Sequence, residues 1–320
     1  MTEFGLQIYS VRDRFTTPED TKEALLELSK MGYSHIQTAG TYDYISPELF
    51  AKYVKDAGLS VCGTHYDFDK IINDVEGTVA YHNMLGTKNI GIGAMPYAAR
   101  NEKGLFEFIE AYNKASKIYA ERGFKLSYHH HSFEFERISD GRTMFDCLVE
   151  GFDKNINFVL DTFWLQYAGL DVRDTIERLS GRVDILHLKD MTADRSAPRN
   201  YPYPIVCVGE GNINFKRIID AAEAAGVKYF VVEDDRWPRG QISRIRKNQR
   251  RLYQSQPCKI SKNVVLCKQI ATKKDEEVVS SSFFSENQKL VAREKCSKNK
   301  LKLYPLILEL RLLPLLFQRL

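Results

Sequence analysis

The sequence predicts an α/β fold, a (β/α)8 TIM barrel with an atypical basic C-terminal tail. Eight short apolar runs rich in β-branched and aromatic residues alternate with amphipathic stretches, seven of which lie before residue 240. No two-residue hairpin signal separates consecutive runs, which favours parallel strands joined by crossover helices. The 320 residues suffice for a barrel of roughly 250 residues and an appendage.

Each strand is predicted from an apolar run, and each helix from apolar residues at helical spacing. The strands are expected at residues 4–9, 34–39, 59–65, 89–93, 124–129, 156–161, 183–188 and 229–233. The helices between them are expected at residues 18–30, 47–56, 71–85, 102–121, 143–149, 172–179 and 215–225. Gly32 should end the first helix as a C-cap glycine, and Pro47 should begin the second.

The charge distribution divides the chain near residue 240. Residues 1–240 contain 28 Lys and Arg against 36 Asp and Glu, a net charge of −8, whereas residues 241–320 contain 18 against 6, a net charge of +12. We therefore predict a barrel domain over residues 1–240 and a separate tail over residues 241–320. The negative charge of the barrel argues against a nucleic-acid-binding surface on it.

The tail itself lacks sustained periodicity. Residues 243–253 could form the eighth helix, although their apolar face is weak, and residues 255–302 are expected to be largely disordered. The leucine-rich residues 303–320 are interrupted by prolines and charges too often for a membrane span. Two explanations stay open: a tail that binds nucleic acid or a membrane surface, or a segment that was not selected, as after a reading-frame shift.

Cysteine usage and the amino terminus bear on the compartment. The six cysteines show no CxxC spacing, which suits a reduced compartment better than a disulfide framework or a zinc finger. The amino terminus lacks the basic, apolar and small-residue pattern of a signal peptide. A cytoplasmic protein without a membrane partner is expected.

Acids and an imidazole follow three successive predicted strands, at Asp161, His187 and Glu233. The carboxyl ends of parallel barrel strands meet at one mouth, so these side chains should converge. Mixed oxygen and nitrogen ligands suit a divalent metal such as Mn, Mg, Co or Zn. Glu134 is our choice for the fourth ligand, with Glu136 or His129 as alternatives. A single acid after a strand is more often a helix N-cap or an ion-pair partner, but three in succession favour a site.

A histidine triplet and three single residues near these strand ends are further candidates. Of the triplet His129-His130-His131, at most two can face the site, because adjacent strand residues point to opposite faces. Trp164 is either core packing or a platform for the apolar face of a sugar ring. Lys189 should share a face with His187, where it either stabilises an oxyanion or pairs with Asp161 or Asp190. Glu210 lies in a Gly-Glu-Gly turn that either binds a phosphate or hydroxyl or is only a turn.

The chain resembles the sugar phosphate isomerase/epimerase family, which has the xylose isomerase-like barrel. Six segments carry the resemblance: residues 6–13 (LQIYSVRD), 128–135 (YHHHSFEF), 161–164 (DTFW), 187–191 (HLKDM), 208–212 (VGEGN) and 232–235 (VEDD). The resemblance implies a divalent metal held by Glu134, Asp161, His187 and Glu233. Many members have Glu-Asn-His where this chain has His129-His130-His131, and the triplet is similar to the inosose dehydratase branch.

The resemblance also implies a reaction. The metal would bind a carbonyl and a hydroxyl oxygen of a small-molecule sugar, and Glu134 and Glu233 would move a proton through an enediolate, giving isomerisation or epimerisation. Lys189 would assist, and Trp164, His129 and Glu210 would contact substrate.

Three alternatives stay open. The same site could run a dehydration with His131 as general acid. Apurinic-site endonucleases share the barrel, but a histidine they carry shortly after the sixth-strand acid is replaced here by Trp164. A barrel that binds a sugar without catalysis is the third, and homo-oligomer formation is undecided.

Overall fold

Eight parallel strands form the centre of the molecule in the computed structural model, which describes residues 2–193, 205–235, 246, 248, 249, 251 and 252. They are β1 Phe4–Gln7, β2 His35–Ala39, β3 Ser60–His65, β4 Asn89–Ile92, β5 Lys125–His129, β6 Ile156–Asp161, β7 Val183–Leu188 and β8 Tyr229–Val232. The hydrogen-bonded order is β3-β2-β1-β8-β7-β6-β5-β4. The predicted barrel is therefore confirmed.

The barrel is nearly closed between β3 and β4. Tyr66 N donates to Gly91 O at 2.7 Å, and Asn89 Nδ2 donates to Cys62 O at 2.7 Å. Glycines allow close approach in this half, because a Cβ on Gly63 would come within 2.8 Å of Ile185 Cδ1, across the barrel interior.

Helices cover the outside of the barrel. They are α1 Pro18–Met31, α2 Pro47–Asp56, α3 Phe68–Asn73, α4 Val75–Leu85, α5 Glu102–Glu121, α6 Met144–Gly151, α7 Thr162–Tyr167, α8 Val172–Arg178 and α9 Phe215–Ala224. Gly32 ends α1 with φ of 95°, in the left-handed region that favours glycine. Pro47 begins α2 directly after the N-cap Ser46. Both predicted helix boundaries are confirmed.

The structure differs from the predicted elements in three places. The helix expected at residues 71–85 is two helices, because Asp74 leaves helical geometry (φ −130°, ψ 72°) and its side chain caps α4 by accepting from Gly77 N. The first strand stops at Gln7, and a 3-10 helix, Ile8–Arg14, follows. Helix α7 and two short antiparallel strands, Asp190–Met191 and Ile205–Val206, were not predicted.

Residues beyond position 240 also pack on the barrel. Arg246, Asn248, Gln249, Arg251 and Leu252 are helical, and three of them are buried. Asn248 Oδ1 accepts a 2.6 Å hydrogen bond from Val208 N. A covering segment therefore exists where the weak eighth helix was expected. The predicted domain boundary at residue 240 and the predicted disorder of residues 255–302 lie outside the described residues. No described helix is long and apolar enough to cross a bilayer.

Candidate metal centre

An apolar layer inside the barrel orients the candidate ligands. Val159, Ile185 and Val231 are buried together in one small cluster. Asp161, His187 and Glu233 each follow one of these residues by two positions. Side chains two apart in an extended strand share a face, so all three point into the barrel mouth. The pairing of Asp161 with His187 and of Val231 with His187 brings the strand ends level.

Four residues converge at this mouth. His129, Asp161, His187 and Glu233 each offer a ligand atom within 4.8 Å of the other three, and all four are buried. His187 Nδ1 lies 3.0 Å from Glu233 Oε2 and 3.8 Å from Asp161 Oδ2. His129 Nε2 lies 3.6 Å from Asp161 Oδ2. We call these four residues the metal cluster.

Asp161 serves two purposes with its two oxygens. Oδ1 accepts from Phe163 N at 2.8 Å and from Trp164 N at 3.2 Å, so the residue is the N-cap of α7. Oδ2 is buried and has no hydrogen-bond partner among the described residues. A buried carboxylate oxygen without a partner is costly, which favours a cation at this position. The N-cap interpretation and the ligand interpretation therefore both apply.

The two imidazoles are oriented by hydrogen bonds behind them. His129 Nδ1 donates to Gly93 O at 2.9 Å, which leaves the lone pair on Nε2 facing Asp161. That Nε2 is buried and has no hydrogen-bond partner in the described part of the chain. His187 Nε2 lies 2.5 Å from Gln37 Oε1 and donates to it, so Nδ1 faces the carboxylates. Ring nitrogens fixed in this way are typical of metal-ligating histidines.

Neighbouring charges shift the pKa values of the residues in the metal cluster. Burial opposes ionisation of Asp161, yet the Lys189 ammonium and the two imidazoles hold the pKa of Asp161 well below its usual range. The pKa of Glu233 is lowered by Lys189 and His187 against the same opposition from burial. Burial lowers the pKa of His187, but Glu233 and Asp161 outweigh it and raise the pKa to about 9. The carboxylates are therefore ionised and attract a cation.

Lys189 is the buried ammonium beside the cluster. Its Nζ lies 2.8 Å from Asp235 Oδ2, 3.7 Å from Glu233 Oε2 and 3.9 Å from Asp161 Oδ2. Of the two expected ion-pair partners, Asp161 is therefore near, while the closest contact is with Asp235. The carboxylates raise the pKa of Lys189 despite its burial, so the side chain stays charged.

The structure does not bring Glu134 into the metal cluster. Glu134 Oε1 accepts from Tyr128 Oη at 2.6 Å, and Oε2 accepts from His131 N at 2.9 Å. Both oxygens therefore hold the chain where it leaves β5 and turns into the 3-10 helix Phe133–Phe135. This departure from strand geometry directs the side chain away, and His129, at the end of the strand, occupies the fourth place. Burial raises the pKa of Glu134 to about 7.

The other two histidines of the triplet have separate surroundings. His130 accepts from Asp161 N at its Nε2, 3.1 Å away, and supports the backbone of β6. His131 Nδ1 is buried without a hydrogen-bond partner among the described residues, and its ring centroid lies 5.2 Å from that of Trp164. Burial, followed by the charge of His129, lowers the pKa of His131 to about 2.

The remaining candidates divide into one near the cluster and one away from it. Trp164 is 5% exposed, and Lys189 Nζ lies 4.9 Å from its ring centroid. Glu210 pairs instead with Arg251, at 2.9 Å. The backbone N–H groups of Gly209 and Gly211 both donate to Asp190 Oδ2, so the turn has used the donors that a phosphate would need.

Sequence reasoning missed three residues from the first half of the barrel. Gln7, Gln37 and His65 lie near the carboxyl ends of β1, β2 and β3, and their side chains are linked by hydrogen bonds that reach His187. The available signal was the one used for the later strands, a polar residue closing an apolar run.

The donor set fits a divalent metal. It contains two carboxylates and two imidazole nitrogens, and for two of its buried atoms, His129 Nε2 and Asp161 Oδ2, the described residues supply no hydrogen bond. Mixed O/N sites of this kind suit Zn, Mn and Co.

Comparisons with known proteins agree with this architecture. Residues 25–254 match a protein family described as a xylose isomerase-like TIM barrel. A sugar phosphate isomerase/epimerase from Parabacteroides distasonis is 23% identical, with a TM-score of 0.66 over 79% of this chain and 94% of that one. An IOLI protein solved with a bound zinc atom is 16% identical, with a TM-score of 0.56 over 79% and 97% of the two chains.

Two curated relatives are inosose dehydratases. The one from Geobacillus thermodenitrificans is 28% identical over 41% of this chain and 47% of its own length. The one from Mesomycoplasma hyopneumoniae strain J is 23% identical over 61% of each chain. This chain thus aligns with less than two thirds of the length of either relative.

Proposed function

Because the chain belongs to the xylose isomerase-like TIM barrel family, we propose that it is a divalent-metal-dependent isomerase or epimerase of a small sugar or keto-sugar. The observation that carries the proposal is the convergence of His129, Asp161, His187 and Glu233 around two buried atoms without hydrogen-bond partners. A metal bound there would polarise a substrate carbonyl and acidify the carbon-bound proton beside it. His129 takes the place that we first expected Glu134 to hold.

The residues around the cluster supply the proton and charge chemistry. Glu233, ionised and beside Lys189, removes the acidified proton, and its return to the neighbouring carbon gives aldose–ketose isomerisation. Epimerisation would need a second acid that returns a proton to the opposite face of the enediolate. The Lys189 ammonium lies 3.7 Å from Glu233 and stabilises negative charge on the substrate oxygen. Trp164 excludes water and supports the ring or chain of the substrate. Glu134, with both oxygens bonded, positions His131.

Dehydration on the same site is the second candidate. The curated relatives are inosose dehydratases, and this chain carries an imidazole, His131, with a buried nitrogen free to handle a proton. In that reaction Glu233 would remove the proton beside the carbonyl. Because the lowered pKa of His131 leaves its imidazole neutral, His131 would relay that proton to the departing hydroxyl, which leaves as water. The buried free thiols of Cys62 and Cys147 are compatible with the cytoplasmic location that we propose.

The test is a substrate screen on the full chain reconstituted with Mn, Co or Zn. We expect about one metal per chain, turnover of a ketose or inosose, and loss of both in Glu233→Gln. Glu177→Gln is the matched control, because Glu177 is an exposed acid paired with Arg173 on α8. A product that is one water molecule lighter than its substrate would favour the dehydratase reaction. Retention of metal and full rate by Glu233→Gln would overturn the assignment of Glu233 as base and ligand. Three bound zinc ions and nicking of abasic DNA would favour an apurinic-site endonuclease.

A further inference from the structure

A chain of hydrogen bonds orients two amides behind the metal cluster. Tyr9 N donates to Gln7 Oε1 at 3.2 Å, so the other end of the Gln7 amide, Nε2, is the donor end. The two hydrogens of that Nε2 meet two acceptors: Gln37 Oε1 at 3.0 Å and His65 Nδ1 at 3.4 Å. A backbone N–H, which can only donate, thereby determines how both amides point.

The same chain determines the tautomer of His65. Because Nδ1 accepts from Gln7, the hydrogen of the neutral ring is on Nε2. That Nε2 is buried and has no hydrogen-bond partner among the described residues. A buried donor without a partner is uncommon, and it indicates that a partner binds there.

The ring of His65 lies against the metal cluster. Its centroid is 5.0 Å from that of His129 and 5.6 Å from that of His187. His65 ends β3, at the same carboxyl end of the barrel as the cluster, and the residue as a whole is only partly buried. A ligand bound at the metal cluster would therefore lie beside this ring.

We propose that His65 contacts the substrate, with its Nε2–H donating a hydrogen bond to a hydroxyl or carbonyl oxygen next to those at the cluster. The inference rests on the proposed function and extends it: the substrate carries a third oxygen, held by the first half of the barrel. An N–H group has no lone pair for a metal, so His65 in this tautomer is a donor to substrate and is not a further metal ligand.

The test compares His65→Leu with His65→Gln in the metal-loaded full chain. Leu removes the donor, whereas the Gln amide carries an N–H near the position of Nε2. His82→Leu is the matched control, because His82 is another buried imidazole whose two nitrogens bond to Thr64 and Thr78. We expect KM for the ketose or inosose to rise about tenfold in His65→Leu, with partial recovery in His65→Gln, and metal content to stay unchanged.

Monodeoxy analogues of the substrate separate contact from structural damage. The analogue lacking the contacted hydroxyl should bind wild type and His65→Leu equally, while the others keep the tenfold difference. In ¹⁵N NMR, the His65 hydrogen should be on Nε2.

Three results would overturn the inference: a lower metal content in His65→Leu, an equal loss of affinity for every analogue, or a hydrogen on Nδ1. A wild-type chain that neither binds nor converts any ketose or inosose would instead refute the proposed function.

Discussion

Single hydrogen bonds decide what each titratable residue of this site can do. Asp161 divides its oxygens between a helix cap and the metal cluster, and His129 presents Nε2 because Gly93 O takes the hydrogen of Nδ1. Glu134 is as buried as these residues, yet Tyr128 and His131 use both of its oxygens. Burial and residue type therefore do not identify a ligand; the occupancy of its lone pairs does.

Glu134 should make the stability of the barrel depend on pH. Burial raises its pKa from 4.5 to about 7, so the folded state binds a proton that the unfolded state has released. The stabilisation is fully present below pH 4.5 and is lost as the pH rises through 7. In Glu134→Gln, the free energy of unfolding relative to wild type should increase by about 2–3 kcal/mol between pH 5 and pH 8.

Urea unfolding of the EDTA-treated chain at both pH values measures this difference, since bound metal would add its own pH dependence. Glu136→Gln is the matched control, because Glu136 is exposed two positions along the chain. An identical pH slope in wild type and Glu134→Gln would contradict the prediction.

At the scale of elements, the junction of β6 and α7 contains a residue that belongs both to a helix cap and to the metal cluster. The strand ends and the helix begins at the same residue, Asp161, whose Oδ1 caps α7. The helix then places the ring centroid of Trp164 4.9 Å from Lys189 Nζ. Asp161 is therefore both a member of the metal cluster and the cap of the helix that carries Trp164.

Two substitutions at Asp161 should separate these purposes. Asn keeps an oxygen for the N–H groups of Phe163 and Trp164 but lacks the charge, whereas Ala removes both. We expect both variants to lose metal binding by at least about 100-fold in affinity, as expected for loss of a charged ligand. Without metal, Asp161→Ala should be about 1 kcal/mol less stable than Asp161→Asn, because only the former loses the cap.

Isothermal titration with Zn and urea unfolding of the metal-free variants provide the two measurements. Equal stability of the two metal-free variants would show that the cap contributes nothing. Near-wild-type metal affinity in Asp161→Asn would show that the Asp161 carboxylate is not a metal ligand.

At the scale of the whole molecule, residues after position 240 complete the outside of the barrel. Leu252 is 2% exposed and belongs to the main hydrophobic core. Asn248 satisfies the backbone N–H of Val208, next to the turn that Asp190 organises. The segment carries so many arginines that its apolar face looks weak in sequence, but among its described residues Asn248, Gln249 and Leu252 are buried.

Leu252→Ala in the full chain should lower the free energy of unfolding by about 2–4 kcal/mol, because the substitution removes buried methyl groups and leaves a cavity. Arg246→Ala is the control: Arg246 makes a half-exposed pair with Glu27, and a change within about 0.5 kcal/mol is expected. Thermal and urea unfolding measure both. A Leu252→Ala chain as stable as the control would mean that this segment does not belong to the folded barrel.

The fold and three of the four residues of the metal cluster could be predicted because their signals are local. Each strand is an apolar run, and Asp161, His187 and Glu233 close three such runs, so barrel topology alone brings them together. The fourth position could not be predicted in this way. Glu134 lies five residues after the strand-end His129, and only the path of the chain through the 3-10 helix shows where its carboxylate goes.

Gln7, Gln37 and His65 were missed for a related reason. Each is an ordinary polar residue in its own strand, and the role of its side chain depends on hydrogen-bond partners about 30 to 150 residues away. Amide orientation and imidazole tautomer are properties of the hydrogen-bond network, which exists only after the barrel has formed.

The sequence by itself determined the α/β alternation, the strand ends that carry acids and imidazoles, and the acidic character of the barrel, because these depend on residue type and spacing along the chain. The tertiary structure alone decided that His129 joins the cluster in place of Glu134, that only one oxygen of Asp161 caps α7, and that Gln7 contacts Nδ1 of His65. The physical reason is that each of these depends on which donor meets which lone pair across the barrel, and such contacts join residues that the sequence keeps far apart.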